Sequence, residues 1–497
     1  MENYQQLERR FRQISRLREA SSILGWDEAV MMPEGGSTDR NEALAELAVI
    51  AQNLAIAPEV GAWLGDADKE QGLDEWQRAN VREMRRQYIN NTAIPTELNQ
   101  RLVVAKMNSE QQWRRLRPEN DWTRFQPILQ ETLSLTRQAV QELARKRDLS
   151  MYDAALSLYS PGLDTKTVDS LFTALKAFLP RMIQDVVAKQ KTENTVLPEG
   201  EFPMAAQKAL GLELMQVLGF SLKHGRLDES HHPFCGGIPR DVRITTRYNT
   251  NEFLSSLMGV LHETGHALYE QNLPDRWLTQ PVGEACGMAV HESQSLLMEM
   301  QVCRSREFIE FAAPMIRKHM APFVKNPESL DTDNLARLVT RSRPGLIRVD
   351  ADEVTYPAHI ILRFEIERDL LEDRWPLSEL PNVWNEKMKS YLGSSTLGDD
   401  KNGRMQDVHW PSGAFGYFPA YTFGAVIAAQ LFARAESDIG GLRGSLMRGD
   451  FAPLSSWLRE KIWSQGSRVN TLELVKQATG GPLSTTAFER HLRRRYL

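Results

Sequence analysis

Apolar residues recur at helical spacing through most of this 497-residue chain, and that period limits it to a largely α-helical fold. Leu7, Phe11, Ile14 and Leu17 form one stripe. Leu129, Leu133, Val140 and Leu143 form another, and Leu171, Leu175, Phe178, Leu179, Met182 and Val186 a third. Their spacing predicts helix faces packed into a core. Two short stretches break the rule. In DVRITTRY, Val242, Ile244, Thr246 and Tyr248 alternate with Arg243, Thr245 and Arg247. In IRVDAD, Ile347, Val349 and Ala351 alternate with Arg348, Asp350 and Asp352. Period 2 marks a half-buried strand, so the expectation is a mainly α protein with a small sheet.

Hydrophobic residues at 41% and charged residues at 25% are globular values that exclude a disordered or fibrous chain. The count of 60 Lys plus Arg against 65 Asp plus Glu gives no general attraction to nucleic acid or to an anionic membrane. The arginine runs at 82–86 and 490–495 read as solvated helix faces. No repeat of solenoid length is present. Residues 411–433 carry no Asp, Glu, Lys or Arg, but their Pro, Gly and Tyr content fits a buried loop and helix better than a membrane span. Breaks fall near 192–203, 322–345 and 396–419 and read as loops. Three cysteines make no disulfide framework, and the charged N-terminal segment lacks the apolar run of a signal peptide, so a cytoplasmic protein is expected.

The ten histidines are unevenly placed: none precedes His224, and six (His224, His231, His232, His262, His266, His291) precede residue 292. His262 and His266 stand four apart in LMGVLHETGHALYE, so on a helix their imidazoles share a face and suit a divalent ion such as Zn²⁺. Glu263 follows the first of them, where it can take a proton from an activated water. A catalytic zinc usually takes a third protein ligand. Tyr269 follows His266 at the position where an extended motif would continue, so that ligand comes from a later element. The segment GEACGMAVHESQSLLMEM offers Glu284, His291, Glu292 and Glu299, and spacing alone does not choose among them.

The ordered set HPF (232–234), DVRIT (241–245), HETGH (262–266), HESQ (291–294), IRVDAD (347–352) and GRMQDVHW (403–410) resembles the Taq-type metallocarboxypeptidases, peptidase family M32. LGWDEAVMMPEGG (24–36) is similar to that family too, so the resemblance spans essentially the whole chain. It implies an HExxH-type gluzincin, a helical body with a deep cleft and a small sheet at its edge, and a homodimer. It also implies that Glu292 completes the ligand set, with Zn²⁺ or Co²⁺ as the ion, one per subunit. The family motif often has Arg or Gly before the Gln, whereas this chain reads HESQ, and Gln294 has no assigned role.

On this reading the reaction is removal of C-terminal residues from peptides, with broad specificity and with Glu263 as general base. Such an enzyme needs a cation for the substrate's free carboxylate, and an arginine fork suits it. Arg348 is the first choice and Arg243 the second. Each has a structural alternative, Arg348 paired with Asp350 or Asp352 and Arg243 with Asp241. His232, His409 and Tyr421 are candidates for substrate or transition-state contacts. Cys235 and Cys286 are expected as small buried residues. Other readings are a metallo-endopeptidase of the same helical architecture and a non-catalytic scaffold with structural zinc. Length alone suggests about three domains. Motifs scattered from 232 to 410 must converge on one ion, however, so the expectation is one peptidase domain over 1–497, two helical lobes about a cleft, with the motif-bearing core near 224–425.

Overall fold

The computed structural model describes residues 2–497. Helices dominate it, and the sequence stripes turn inward. The first helix, Glu2–Val30, buries Tyr4, Leu7, Phe11 and Ile14. These residues form a small core with Ala55, Val60, Leu64, Val81 and Met84 from the helices Ser37–Ile56, Pro58–Ala67 and Glu75–Thr92. A much larger core lies beyond it, built on the helices Trp122–Arg147 and Thr165–Gln190 and on those that follow. Leu129, Leu133, Val140, Leu171, Leu175 and Leu179 are all buried there, each contributing roughly 2 kcal/mol of apolar transfer.

Side-chain caps set where several helices begin. The Asp74 carboxylate accepts from the Gln77 amide while the Gln77 side chain accepts from the Asp74 amide, which satisfies donors that no helical carbonyl reaches. Asp121 and Asp164 accept from the Arg124 and Thr167 amides in the same way.

The sheet has three strands, β1 (Gly225–Glu229), β2 (Phe234–Ile238) and β3 (Asp241–Thr246), in the order β1-β3-β2. The strand β3 is the one expected from DVRITTRY, though it ends at Thr246. It pairs parallel with β1 (Leu227↔Ile244) and antiparallel with β2 (Cys235↔Ile244). Val242 and Ile244 are buried and Arg243 projects from the opposite face. The second expected strand, IRVDAD, does not form. A single 3₁₀ turn covers Arg348–Asp350 instead, and Val349, which alternation would bury, is 69% exposed. Local hydrogen bonds outcompete a ladder here. The Asp352 carboxylate accepts from the Arg343, Val354 and Thr355 amides and from the Ser342 hydroxyl, while Arg348 turns inward to Asp407.

The loop expected near 322–345 also contains a helix, Thr332–Val339. Residues 411–433 form turns and then the helix Pro419–Ile439, whose Phe423, Val426, Ile427 and Leu431 are buried. Among the described residues no single helix is long and apolar enough to cross a membrane.

Candidate metal centre and active-site cleft

The HETGH segment lies on the helix Leu254–Gln271, and HESQ on the helix Gly287–Leu296. Gly265 lets these two helices meet backbone to backbone: a Cβ there would fall 2.4 Å from the Gln294 carbonyl oxygen and 2.6 Å from Ser295 Cα. On the other side, Gly424 brings the Pro419–Ile439 helix against Glu292, where a Cβ would lie 2.6 Å from the Glu292 Cγ. The result is a compact donor set. Glu292 Oε2 is 3.9 Å from His262 Nε2 and 3.4 Å from His266 Nε2. Donors about 2.1 Å from a tetrahedral ion lie about 3.4 Å apart, so these three side chains fit a divalent cation.

The remaining ring nitrogens are occupied from behind. His262 Nδ1 is 2.9 Å from Glu299 Oε2, and the other Glu299 oxygen accepts from Arg304 Nε and Nη2 at 3.1 and 2.7 Å. Glu299 reaches this position because the helix widens into a π-turn over Leu297–Cys303. His266 Nδ1 is 2.6 Å from His291 Nδ1, and His291 Nε2 is 2.8 Å from Glu270 Oε1. These contacts orient both rings with Nε2 towards Glu292, in the way that a hydrogen bond to the second ring nitrogen orients a ligating histidine. Of the four candidates for a third ligand, Glu292 therefore joins the two histidines, Glu299 and His291 support them, and Glu284 sits apart, accepting from Gln87.

Electrostatics follow from the burial. Burial disfavours an imidazolium at both histidines. Glu299 and Glu292 outweigh it at His262, lifting that ring to about 10, whereas His291 reinforces it at His266, lowering that ring to about 4. Burial also disfavours charge on Glu292, but the His266 hydrogen bond and the His262 charge hold it down to about 2. Glu263 is pushed up to about 7, chiefly by burial, with His262 opposing and Glu292 adding to the shift. It has no hydrogen-bond partner among the described residues, and a carboxylate so placed can accept and return a proton.

A cavity of about 970 Å³ opens over this group, lined by His262, Glu263, His266 and Glu292 together with Arg348, Tyr356 and Tyr421. Phe234 and Cys235 at the start of β2 also line it. Arg348 is 6% exposed. Its Nε donates to Asp407 Oδ1 at 2.8 Å and its Nη1 to Tyr356 Oη at 2.9 Å, so its ion-pair partner is Asp407 and neither Asp350 nor Asp352.

The other sequence candidates divide. Tyr421 lines the cavity. His409 stands behind it, with Nε2 3.1 Å from the Tyr421 hydroxyl and its ring against Phe418, and burial lowers it to about 3. Arg243 is away from the cavity wall. Its guanidinium forms a two-pronged pair with Asp241 at 3.0 and 2.6 Å and stacks 4.5 Å over Trp26. His232 is exposed, outside the cavity, and offers its carbonyl to the Ser230 hydroxyl. Gln294 is buried and accepts from the Trp463 indole. Cys286 is buried and Cys235 half-buried, and neither joins the donor set. Sequence reasoning did not single out Tyr356, Tyr417, which also lines the cavity, or Asp407. Asp407 had a signal, its place in GRMQDVHW, while the two tyrosines had none.

Comparison with known proteins agrees with this geometry. The family model described as Carboxypeptidase Taq (M32) metallopeptidase matches residues 6–496. The chain is 37% identical to the thermostable carboxypeptidase 1 of Thermus thermophilus, over 99% of this chain and 98% of that one. It is 33% identical to carboxypeptidase 1 of Bacillus subtilis, over 98% and 96%. Among solved structures, Trypanosoma cruzi metallocarboxypeptidase 1 superposes with a TM-score of 0.97 at 43% identity, covering 100% of this chain and 99% of that one. The M32 carboxypeptidase of Deinococcus radiodurans R1 gives 0.93 at 32%, covering 100% and 99%. A His/His/Glu donor set under a carboxylate, in a helical body that matches this family from end to end, makes the chain a member of the Taq (M32) metallocarboxypeptidases, a metal-dependent carboxypeptidase acting on peptides.

Proposed function

We propose that the enzyme releases C-terminal residues of varied type from peptides, with His262, His266 and Glu292 holding one Zn²⁺ per subunit and Co²⁺ able to replace it. It acts as a cytoplasmic homodimer. When bound, the ion supplies Lewis-acid chemistry, polarising the scissile carbonyl and acidifying a water. Glu263 takes the proton of the attacking water and returns it to the departing amine, a role that its buried, unpartnered carboxylate suits. Arg348 receives the substrate's terminal carboxylate. Its Nη2 has no protein partner among the described residues, whereas Nε and Nη1 are engaged. The Tyr421 hydroxyl, oriented from behind by His409, faces the same space and can donate to the developing oxyanion.

One observation carries this reading: a free-edged arginine and an unpartnered buried carboxylate share a cavity with a His/His/Glu donor set. The test is mass analysis of one peptide, supplied as the free acid and as the C-terminal amide, after incubation with metal-loaded protein. Ladders shortening from the C-terminus of the acid alone are expected. Equal trimming of the amide defeats the carboxylate role, and internal cuts establish an endopeptidase. Glu263→Gln should retain metal and lose turnover; full activity in that variant would overturn the general-base assignment. Metal analysis of the purified protein and light scattering check the ion and the dimer.

A further inference from the structure

Arg348 and Arg363 share a single buried carboxylate. Asp407 Oδ1 accepts from Arg348 Nε at 2.8 Å and Oδ2 from Arg363 Nε at 2.6 Å, and the side chains of Arg348, Asp407 and Arg363 are 7%, 10% and 0% exposed. Two guanidinium groups against one carboxylate leave this buried group one positive charge in excess. The buried titratable groups packed beside it do not cancel it, and the ionised Glu292 across the cavity belongs to the His/His/Glu donor set. His359 and His409 are both held neutral, chiefly by burial and then by the arginines, and Glu367, which senses Arg363, is lifted by burial to about 8. Around Arg348 the partners are aromatic: its guanidinium lies 5.0 Å from the Tyr421 ring centroid and 5.7 Å from that of Phe418. Uncompensated buried charge is costly. An incoming carboxylate on Arg348 would make the group neutral, two cations against two anions.

We infer that Asp407 is a positioning residue that holds Arg348 by Nε alone, and that Arg363 occupies its second oxygen so that Nη2 of Arg348 stays free for the substrate's terminal carboxylate. This inference rests on the reading that Arg348 binds that carboxylate. Without Arg363, the carboxylate of Asp407 could turn both oxygens onto Arg348 in the two-pronged geometry that Arg243 adopts with Asp241. Such a pair is neutral, and it spends the donors that a substrate needs. The main chain supports the same arrangement. Gln406 Oε1 accepts from the Arg348 amide at 2.8 Å, and Gln406 Nε2 donates to the Leu346 carbonyl at 3.0 Å. The IRVDAD and QDVHW segments, with Arg348 and Asp407 separated by 59 residues, therefore work as one carboxylate-recognition unit.

The test compares an N-blocked dipeptide with its C-terminal amide as competitive inhibitors of the metal-loaded enzyme, in wild type, Arg348→Met, Asp407→Asn, Asp407→Glu and Arg363→Met. Wild type is expected to favour the acid over the amide by about 10–100-fold, the worth of a charge-assisted hydrogen bond. Arg348→Met should abolish that preference. If it does not, the underlying carboxylate reading fails. Asp407→Asn should lose most of the preference, mainly as a rise in KM with kcat little changed and metal affinity unaltered, and Asp407→Glu should recover part of it. An Asp407→Asn enzyme that keeps the wild-type acid-to-amide ratio overturns the positioning role. Should Asp407→Asn fold poorly because it strands Arg363, Arg363→Met decides the matter. It removes the cation and leaves the Asp407–Arg348 pair neutral, so the preference should fall, and an unchanged ratio overturns the inference.

Discussion

Gly265→Ala tests whether backbone contact between two helices builds the metal site. The added methyl would lie 2.4 Å from the Gln294 carbonyl oxygen and 2.6 Å from Ser295 Cα, against an ordinary contact near 3.5–4.0 Å. Both atoms are main chain, so neither can rotate away, and relief requires the helices to part by about 1 Å. Overpacking of this kind costs about 1–3 kcal/mol of stability. The larger effect falls on the ion. His262 and His266 ride on one helix and Glu292 on the other, and metal–ligand distances tolerate only about 0.2 Å. Separation therefore withdraws one of three donors, and affinity should fall at least about 100-fold, or ~2.7 kcal/mol. Competition with a chromophoric chelator measures this, alongside thermal unfolding of the metal-free protein. Gly259→Ala is the control: it lies on the same helix, and its Cβ would have nothing within 4 Å. It should leave metal affinity unchanged and stabilise the helix by up to about 1 kcal/mol. A Gly265→Ala protein with wild-type metal affinity and unfolding midpoint would refute the argument.

Two further outcomes follow from the same geometry. Glu299→Ala removes the acceptor of His262 Nδ1, and metal affinity should drop about 10–100-fold in the chelator assay; an unchanged affinity means that Glu299 does not orient the ring. Glu367 offers a pH test away from the ion. Burial lifts its carboxyl to about 8, against donors from Tyr152, Trp410 and the Gly416 amide. Its unfolded value is about 4.3, so between these values the folded chain holds the extra proton. The stabilisation it carries is complete below about pH 4.3 and lost as pH rises through about 8. Glu367→Gln should flatten the decline of the unfolding midpoint between about pH 5 and 8. Melts that decline as steeply in the variant would show that Glu367 is already ionised in the folded protein.

The helical stripes and the His262/His266 pair were legible in the sequence because each depends on neighbours within a turn or two. Leu171, Leu175 and Leu179 need only the helical period to share a face, and the two histidines need only their spacing of four. Strand β3 was legible for the same reason, its alternation being local. IRVDAD misled because alternation registers polarity and not partners: Asp352 binds nearby amides and Asp407 draws Arg348 in from 59 residues away. Glu292 could not be separated from Glu284, His291 and Glu299 by spacing. Only the approach of the helices at Gly265 and Gly424, together with the π-turn at Leu297–Cys303, decides which carboxylate reaches the Nε2 atoms and which stands behind a ring. Tyr356, Asp407 and Arg363 become one site only through burial. The sequence by itself determined a helical protein with a two-histidine metal motif, because periodicity and spacing act within a single element. The tertiary structure decided which carboxylate joins the two histidines, the support behind both rings and the unpartnered Nη2 of Arg348, because these depend on atoms brought together across distant segments.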